Sequence, residues 1–107
     1  MLARVDIKKV QKGLKEPWMP VDVARVNNFA VRCVKIKGEY HWHTHRNEDE
    51  FFLVQDGKMV IQTTEGDVSL GTGQGVVVPK GMRHCSKSDR GAVVLVFERQ
   101  TTRKEGD

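Results

Sequence analysis

The chain has 107 residues and carries 18 Lys or Arg, 14 Asp or Glu and 4 His, which gives a formal net charge of +4. This length fits one domain with a hydrophobic core and leaves no room for a second domain. The cations are scattered among the acids and form no basic run, which argues against nucleic-acid binding, and no apolar stretch is long enough to cross a bilayer.

The start of the chain and its cysteines indicate the compartment. Residues 1–6 lack the apolar core of a signal peptide. Cys33 and Cys85 are too few and too irregularly placed for a disulfide framework, so we expect both to be reduced and buried. The sequence therefore predicts a soluble, cytoplasmic protein.

The first predicted element is a short helix over residues 6–15. Asp6 is a suitable N-cap, because its carboxylate can accept a hydrogen bond from a free amide of the first turn. Three apolar residues recur at helical spacing: Ile7, Val10 and Leu14. Pro17 ends the pattern. We expect this helix to pack on the outside of the main domain.

A β-hairpin is predicted after the helix. Its strands cover residues 21–26 and 29–37, and Asn27-Asn28 forms the turn between them. The second strand leads through Gly38 into a segment in which His alternates with other residues. We interpret that segment as a further strand.

Short strands continue to the end of the domain. They are predicted at residues 50–55, 58–63, 68–70, 76–78, 83–86 and 92–98, with turns at 57, 65–67 and 89–91. Many short strands joined by Gly-rich turns are typical of a double-sheet jelly roll. Residues 100–107 are polar and have no apolar period, so we expect a flexible tail.

Three histidines and one glutamate give the strongest functional signal. Side chains two residues apart on a strand point the same way, so His43 and His45 can reach one ion. Glu50 begins the next predicted strand, and His84 follows the turn at residues 79–81. Three imidazole nitrogens and one carboxylate oxygen suit a divalent transition metal. The sequence therefore predicts that these four residues bind one such ion.

The two segments that carry these residues resemble the two motifs of the cupin family. The first motif contains Gly, His-x-His, Glu and Gly, which here are Gly38, His43, His45, Glu50 and Gly57. The second contains Gly, Pro-x-Gly, His and Asn, which here are Gly73, Pro79, Gly81, His84 and, in the Asn position, Ser88. Gly38 also stands four residues before the His pair, where the pattern has about five. Neither departure changes a predicted ligand.

The resemblance implies a small single-domain cupin. Its fold is then all-β, a double-stranded β-helix or jelly-roll barrel with a short N-terminal helix. Residues 1–107 form one domain, with the barrel at about 18–99, the helix at 6–15 and the flexible tail at 100–107. The resemblance also implies that the metal lies inside the barrel.

A rival register of the first motif uses His41 and His43 with Glu48. It fails because Gln55 lies where the motif requires a turn-forming glycine. In a regular strand His41 would still share a face with His43. We expect His41 to be exposed to solvent or to support a ligand, and a place at the mouth of the site is the alternative.

The sequence indicates the function less specifically than it indicates the metal-binding residues. The ligand set accepts zinc, manganese, iron, nickel, cobalt or copper. Our first hypothesis is a metal-dependent enzyme acting on a small polar molecule, with sugar-isomerase-like or dioxygenase-type chemistry. Residues 39–54 are similar to small cupins described as mannose-6-phosphate-isomerase-like. The alternative is a non-catalytic metal-binding, ligand-binding or sensor barrel.

The expected partners follow from the barrel. We expect a small-molecule ligand inside it, no nucleic acid and no membrane. We also expect a homodimer, because small barrels of this type often dimerise and the apolar segment 18–26 could pair with a second copy.

Overall fold

The computed structural model describes residues 2–107. Within them lie one helix and six strands: α1 (Ile7–Gly13), β1 (Val21–Val26), β2 (Phe29–Glu39), β3 (Glu50–Thr63), β4 (Gly66–Gly71), β5 (Gly75–Val78) and β6 (His84–Arg99). The strands form an antiparallel sheet in the order β1-β2-β6-β3-β4, and β5 pairs with β3. The predicted all-β class with a short N-terminal helix is confirmed. In residues 2–107, no helix combines the length and apolar character needed to cross a membrane.

The helix α1 lies against the outer face of the sheet. The carboxylate of Asp6 caps it by accepting a hydrogen bond from the amide of Lys9 at 3.2 Å. Its apolar residues, together with Leu14, contact a small cluster on β2 and β6: Cys33, Val93 and Leu95. The helix thus covers the sheet from outside, as its apolar spacing predicts.

The alternation of side chains along β2 and β6 separates this outer cluster from the main core. On β6, Val94 and Val96 point inward, whereas Val93 and Leu95 point outward, as the two-residue strand period requires. The inner side chains of β2, β3, β4, β5 and β6 form one core: Val34, Ile36, Phe52, Val54, Met59, Ile61, Leu70, Val78, Ala92, Val94 and Val96. The sheet therefore encloses an apolar interior.

Two predicted turns are bulges within long strands. Gly57 lies inside β3 with a φ of 102°, and Gly91 lies inside β6 with a φ of 96°. The pairing of these strands shifts register between Gly57 and Val60. A Cβ at position 57 would come within 2.8 Å of the Gly91 carbonyl oxygen. The two glycines let the strands bulge and approach each other without reversing direction, so the turns predicted there are wrong.

The hairpin of β1 and β2 is confirmed, and Asn27 adopts a φ of 56° in its turn. The predicted strand through the alternating His is wrong. Residues 40–49 contain only one isolated bridge, between His43 and His84. This segment therefore depends on its neighbours for its position.

Candidate metal centre

The four predicted ligands come together at one end of the sheet. Glu50 is the first residue of β3 and His84 is the first residue of β6. His43 and His45 lie in the irregular segment before β3. Two backbone hydrogen bonds of 3.0 Å between His43 and His84 hold that segment beside β6.

The ligand atoms of the cluster face one another. One atom from each of His43, His45, Glu50 and His84 lies within 4.8 Å of the others. Glu50 Oε1 is 3.1 Å from His45 Nε2 and 3.2 Å from His84 Nε2. These three atoms are buried, yet none makes a hydrogen bond of good geometry within residues 2–107. The cluster is therefore a group of closely spaced, buried donor atoms that contact one another without hydrogen bonds of good geometry.

Backbone carbonyls fix two of the imidazole rings. His43 Nδ1 lies 2.9 Å from the carbonyl oxygen of His41, and His84 Nδ1 lies 3.0 Å from that of Met82. A carbonyl oxygen can only accept, so each Nδ1 must carry the proton. In the neutral rings, Nε2 then presents its lone pair to the cluster. Metal-binding histidines are commonly oriented in this way.

The protonation of the cluster is set by burial and by mutual contact. Burial lowers the pKa of His43 to about 4, and the neighbouring His84 and His45 act in the same direction. Burial also disfavours charge on His45, but contact with Glu50 outweighs it and raises the pKa of His45. Burial opposes the charge of Glu50, yet His45 and His84 lower the pKa of this carboxylate. The result is an ionised Glu50 whose charge favours a proton on His45.

The residues of the rival register lie outside this cluster. The His41 ring is exposed, and its Nε2 donates to the carbonyl of Glu105 at 3.0 Å. Glu48 instead lies near His45 and Asp107, with one ligand atom of each of the three residues within 4.8 Å of the others. His41 supports His43 through its backbone carbonyl, a role that the side-chain pattern could not indicate.

A cavity of about 70 Å³ lies beside the cluster, inside the sheet. His43 and Glu50 form part of its wall. Most of the remaining wall is apolar and comes from Trp18, Val34, Ile36, Phe52, Met59, Val94 and Val96. The open side of the cluster therefore faces a small, largely apolar space.

Arg32 and Glu98 also line this cavity, and sequence reasoning missed both. Arg32 is partly buried, Glu98 is buried, and Arg32 Nη1 donates to Glu98 Oε1 at 2.7 Å. Glu98 Oε2 is buried and has no hydrogen-bond partner within residues 2–107. Burial and contact with Glu50 raise the pKa of Glu98 to about 9, while Arg32 opposes this shift. Their spacing along the strands could have indicated them. Arg32 continues the inward-pointing series of Val34 and Ile36 on β2, and Glu98 continues that of Val94 and Val96 on β6.

Ser88, in the Asn position of the second motif, stabilises the strand bulge. Its hydroxyl donates to the carbonyl of Lys58 at 2.6 Å and accepts from the amide of Gly91 at 3.1 Å. The residue is buried. Serine therefore links β3 to β6 at this position, away from the ligands.

The chain matches the family described as Cupin domain over residues 31–98, which is more than half of its length. It belongs to the cupin family. This cupin is 31% identical over 90 residues to the uncharacterized protein YdbB of Bacillus subtilis (strain 168), a match that covers 83% of this chain and 80% of that protein. The resemblance carried by the two motifs is thereby confirmed.

Solved structures support the same barrel fold. The cupin resembles a cupin-2 domain containing protein from Shewanella frigidimarina, with 26% identity and a TM-score of 0.87 over 90% of this chain and 94% of that one. A hydroquinone 1,2-dioxygenase solved with Cd²⁺ and 4-hydroxybenzonitrile is 18% identical, with a TM-score of 0.76 over 96% of this chain and 75% of that one. At this identity, the second likeness concerns the fold alone.

Proposed function

We propose that His43, His45, Glu50 and His84 bind one divalent transition metal, and that this cupin is a metal-dependent enzyme acting on a small molecule in the adjacent cavity. The observation that carries the proposal is the set of buried donor atoms without partners: His45 Nε2, His84 Nε2 and Glu50 Oε1. A buried polar atom without a partner costs about 1–3 kcal/mol. A cation held by these atoms would remove that cost.

The chemistry of the donors supports a transition metal. Calcium and magnesium prefer oxygen ligands, whereas imidazole nitrogen suits zinc, copper, iron and nickel, and manganese and cobalt also accept a mixed set. When bound, such an ion supplies Lewis-acid chemistry or, if it is redox-active, activation of dioxygen. The dioxygenase solved with Cd²⁺ supports the view that a barrel of this fold can hold a divalent ion.

The cavity wall favours a compact ligand with an apolar body. A polyhydroxylated sugar phosphate would bury many hydroxyl groups against a wall in which apolar side chains outnumber polar partners such as Tyr40, Ser86 and Lys104, which is costly. Between the two types of chemistry that the sequence suggests, the wall therefore favours the dioxygenase type over sugar isomerisation. It also favours a less polar ligand than the sequence predicts.

Arg32 is poorly placed to bind an anionic ligand, despite its position on the cavity wall. Four hydrogen bonds occupy its guanidinium: to Asp22, Glu98, Gln100 and Thr102. An arginine has five N–H groups, so little donor capacity remains. We propose that Arg32 orients Glu98, and that Glu98 contacts the ligand.

Metal content tests the proposal directly. Untagged wild-type protein should contain about one equivalent of a transition metal by elemental analysis, and His84→Ala should lose it. Lys8→Ala is the control, because Lys8 is exposed in α1, on the outer face of the sheet. Wild-type protein that neither contains nor rebinds a metal would refute the metal site.

Non-catalytic binding is the second candidate function. It is favoured by the small cavity, about 70 Å³, which leaves little room for a substrate beside a bound ion. Aerobic and anaerobic screens of metal-loaded protein against catechols, diketones, thiols and sugar phosphates separate the two. Turnover that His84→Ala abolishes would support an enzyme. Saturable binding without turnover would support a binding or sensor barrel.

A further inference from the structure

The last residues of the chain contact the His-bearing segment at several points. His41 Nε2 donates to the Glu105 carbonyl at 3.0 Å. The amide of Asp107 donates to the Thr44 carbonyl at 2.8 Å, and the amide of Arg46 donates to Asp107 Oδ2 at 2.7 Å. Glu105 and Asp107 lie outside the part of the chain that matches the cupin family, residues 31–98.

Gly106 makes the closest approach to a predicted ligand. It is buried and has a φ of 88°. A Cβ at this position would lie 2.7 Å from His43 Cβ, 2.9 Å from the Thr44 carbonyl oxygen and 3.1 Å from His43 Cδ2. None of these atoms is the free end of a flexible side chain. Only glycine therefore lets the chain pass this close to His43 in this backbone conformation.

Asp107 lies beside the second histidine of the segment. Ligand atoms of His45, Glu48 and Asp107 lie within 4.8 Å of one another. His45 Nδ1 is buried and makes no hydrogen bond within residues 2–107, in contrast to the Nδ1 atoms of His43 and His84. Carboxylates close to a metal-binding histidine are a common means of orienting its ring.

The other end of this stretch is fixed to the barrel. Arg32 donates to the carbonyls of Gln100 and Thr102 at 2.7 and 3.0 Å. Lys104 Nζ donates to the Trp18 carbonyl at 3.0 Å, beside the cavity. Residues 103–107 thus run from a barrel anchor to the His-bearing segment.

We propose that residues 103–107 are part of the metal site and position His43 and His45. The irregular segment 40–49 joins its neighbours through one isolated bridge and a few single hydrogen bonds, such as that from the Gly81 amide to the His45 carbonyl at 2.8 Å, so the contacts of residues 103–107 add to its support. Gly106 packs against His43. Asp107 accepts a hydrogen bond from the Arg46 amide and lies near His45. This inference rests on the proposed role of these histidines as metal ligands.

Two glycine substitutions test the inference. Gly106→Ala should lower Co²⁺ affinity by about 10- to 100-fold, the range typical for residues that support metal ligands. It should also change the visible absorption spectrum of the Co²⁺-loaded protein, because the His43 ring must shift. Gly66→Ala is the matched control: Gly66 also has a positive φ, of 118°, but a Cβ added there would have no atom within 4 Å. That variant should bind Co²⁺ with wild-type affinity and spectrum.

A shortened chain gives a second measurement. A variant that ends at Thr102 keeps both carbonyls that bind Arg32 and loses only residues 103–107. It should release Co²⁺ to a chelator faster than wild type, while its metal-free thermal unfolding should change little because the removed residues lie outside the core. Wild-type affinity and spectrum in both Gly106→Ala and the shortened chain would overturn the inference and leave the metal site intact. Failure of the wild-type protein to bind Co²⁺ would instead refute the proposed function.

Discussion

The amide of His43 donates to the carbonyl of His84, and the amide of His84 donates back to the carbonyl of His43, both at 3.0 Å. This pair joins the irregular segment 40–49 to the first residue of β6. Two proposed ligands are therefore coupled through their own backbones. Displacement of either backbone would strain the same pair of hydrogen bonds.

We expect metal binding to slow hydrogen exchange at both of these amides together, since a bound ion would keep His43 and His84 from separating. The measurement is amide exchange by NMR with and without Zn²⁺. The amide of Val10, bonded to the Asp6 carbonyl in α1, is the internal control and should not change. Protection of only one of the two histidine amides would contradict the coupling.

Metal affinity should depend on pH through His45. The pKa of His45 is raised in the metal-free protein, so below that pKa the metal must displace a proton. Affinity should fall by about tenfold per pH unit below this pKa and become constant above it. His43, with a pKa of about 4, adds a second proton only in more acidic solution. Titration calorimetry in buffers of different ionisation enthalpy would count the protons released, and an affinity independent of pH would contradict this assignment.

The Arg32–Glu98 pair should show strong coupling in stability. Arg32→Met leaves the buried Glu98 Oε1 without its hydrogen-bond donor, which should cost about 1–3 kcal/mol. Arg32→Met combined with Glu98→Met should recover part of this loss, because removing both hydrogen-bond partners leaves no buried carboxyl group unpaired. Urea unfolding of both single variants and the double variant measures the coupling. Additive losses would show that the two side chains act independently.

The homodimer stays a prediction, and the exposed apolar residues at β1 support it. Met19, Val21, Val26 and Phe29 are 55%, 45%, 61% and 51% exposed. β1 is an edge strand, which can pair with another chain. Light scattering should give a dimer at micromolar concentration, and Val26→Lys should shift it towards monomer. Wild-type protein that remains monomeric at high micromolar concentration would refute the dimer.

Much of the barrel follows from local signals in the sequence. The cap at Asp6, the hairpin turn at residues 27–28 and the starts of β3 and β6 depend on neighbouring residues, so spacing alone locates them. The turns predicted from Gly57 and Gly91 are wrong, because both glycines lie inside long strands. A glycine with positive φ serves a turn or a bulge equally well, and only the paired strand decides between them.

The remainder of the site depends on contacts between distant residues. Arg32 and Glu98 are 66 positions apart, and their pairing becomes apparent only when β2 and β6 are adjacent. Residues 100–107 were expected to be flexible because they lack an apolar period. Their contacts with the His-bearing segment use backbone amides, carbonyls and a glycine, which leave no hydrophobic pattern. Their mobility in solution stays a prediction.

The carbonyls of His41 and Met82 hold the rings of His43 and His84 in one tautomer. Main-chain oxygens are present whatever side chain a residue carries. A change of the Met82 side chain should therefore leave the tautomer of the His84 ring unchanged. The walls of the cavity, on Val34, Val94 and Val96, can likewise be altered without touching these anchors. Such a division would allow the bound small molecule to change while the proposed metal donors stay in place.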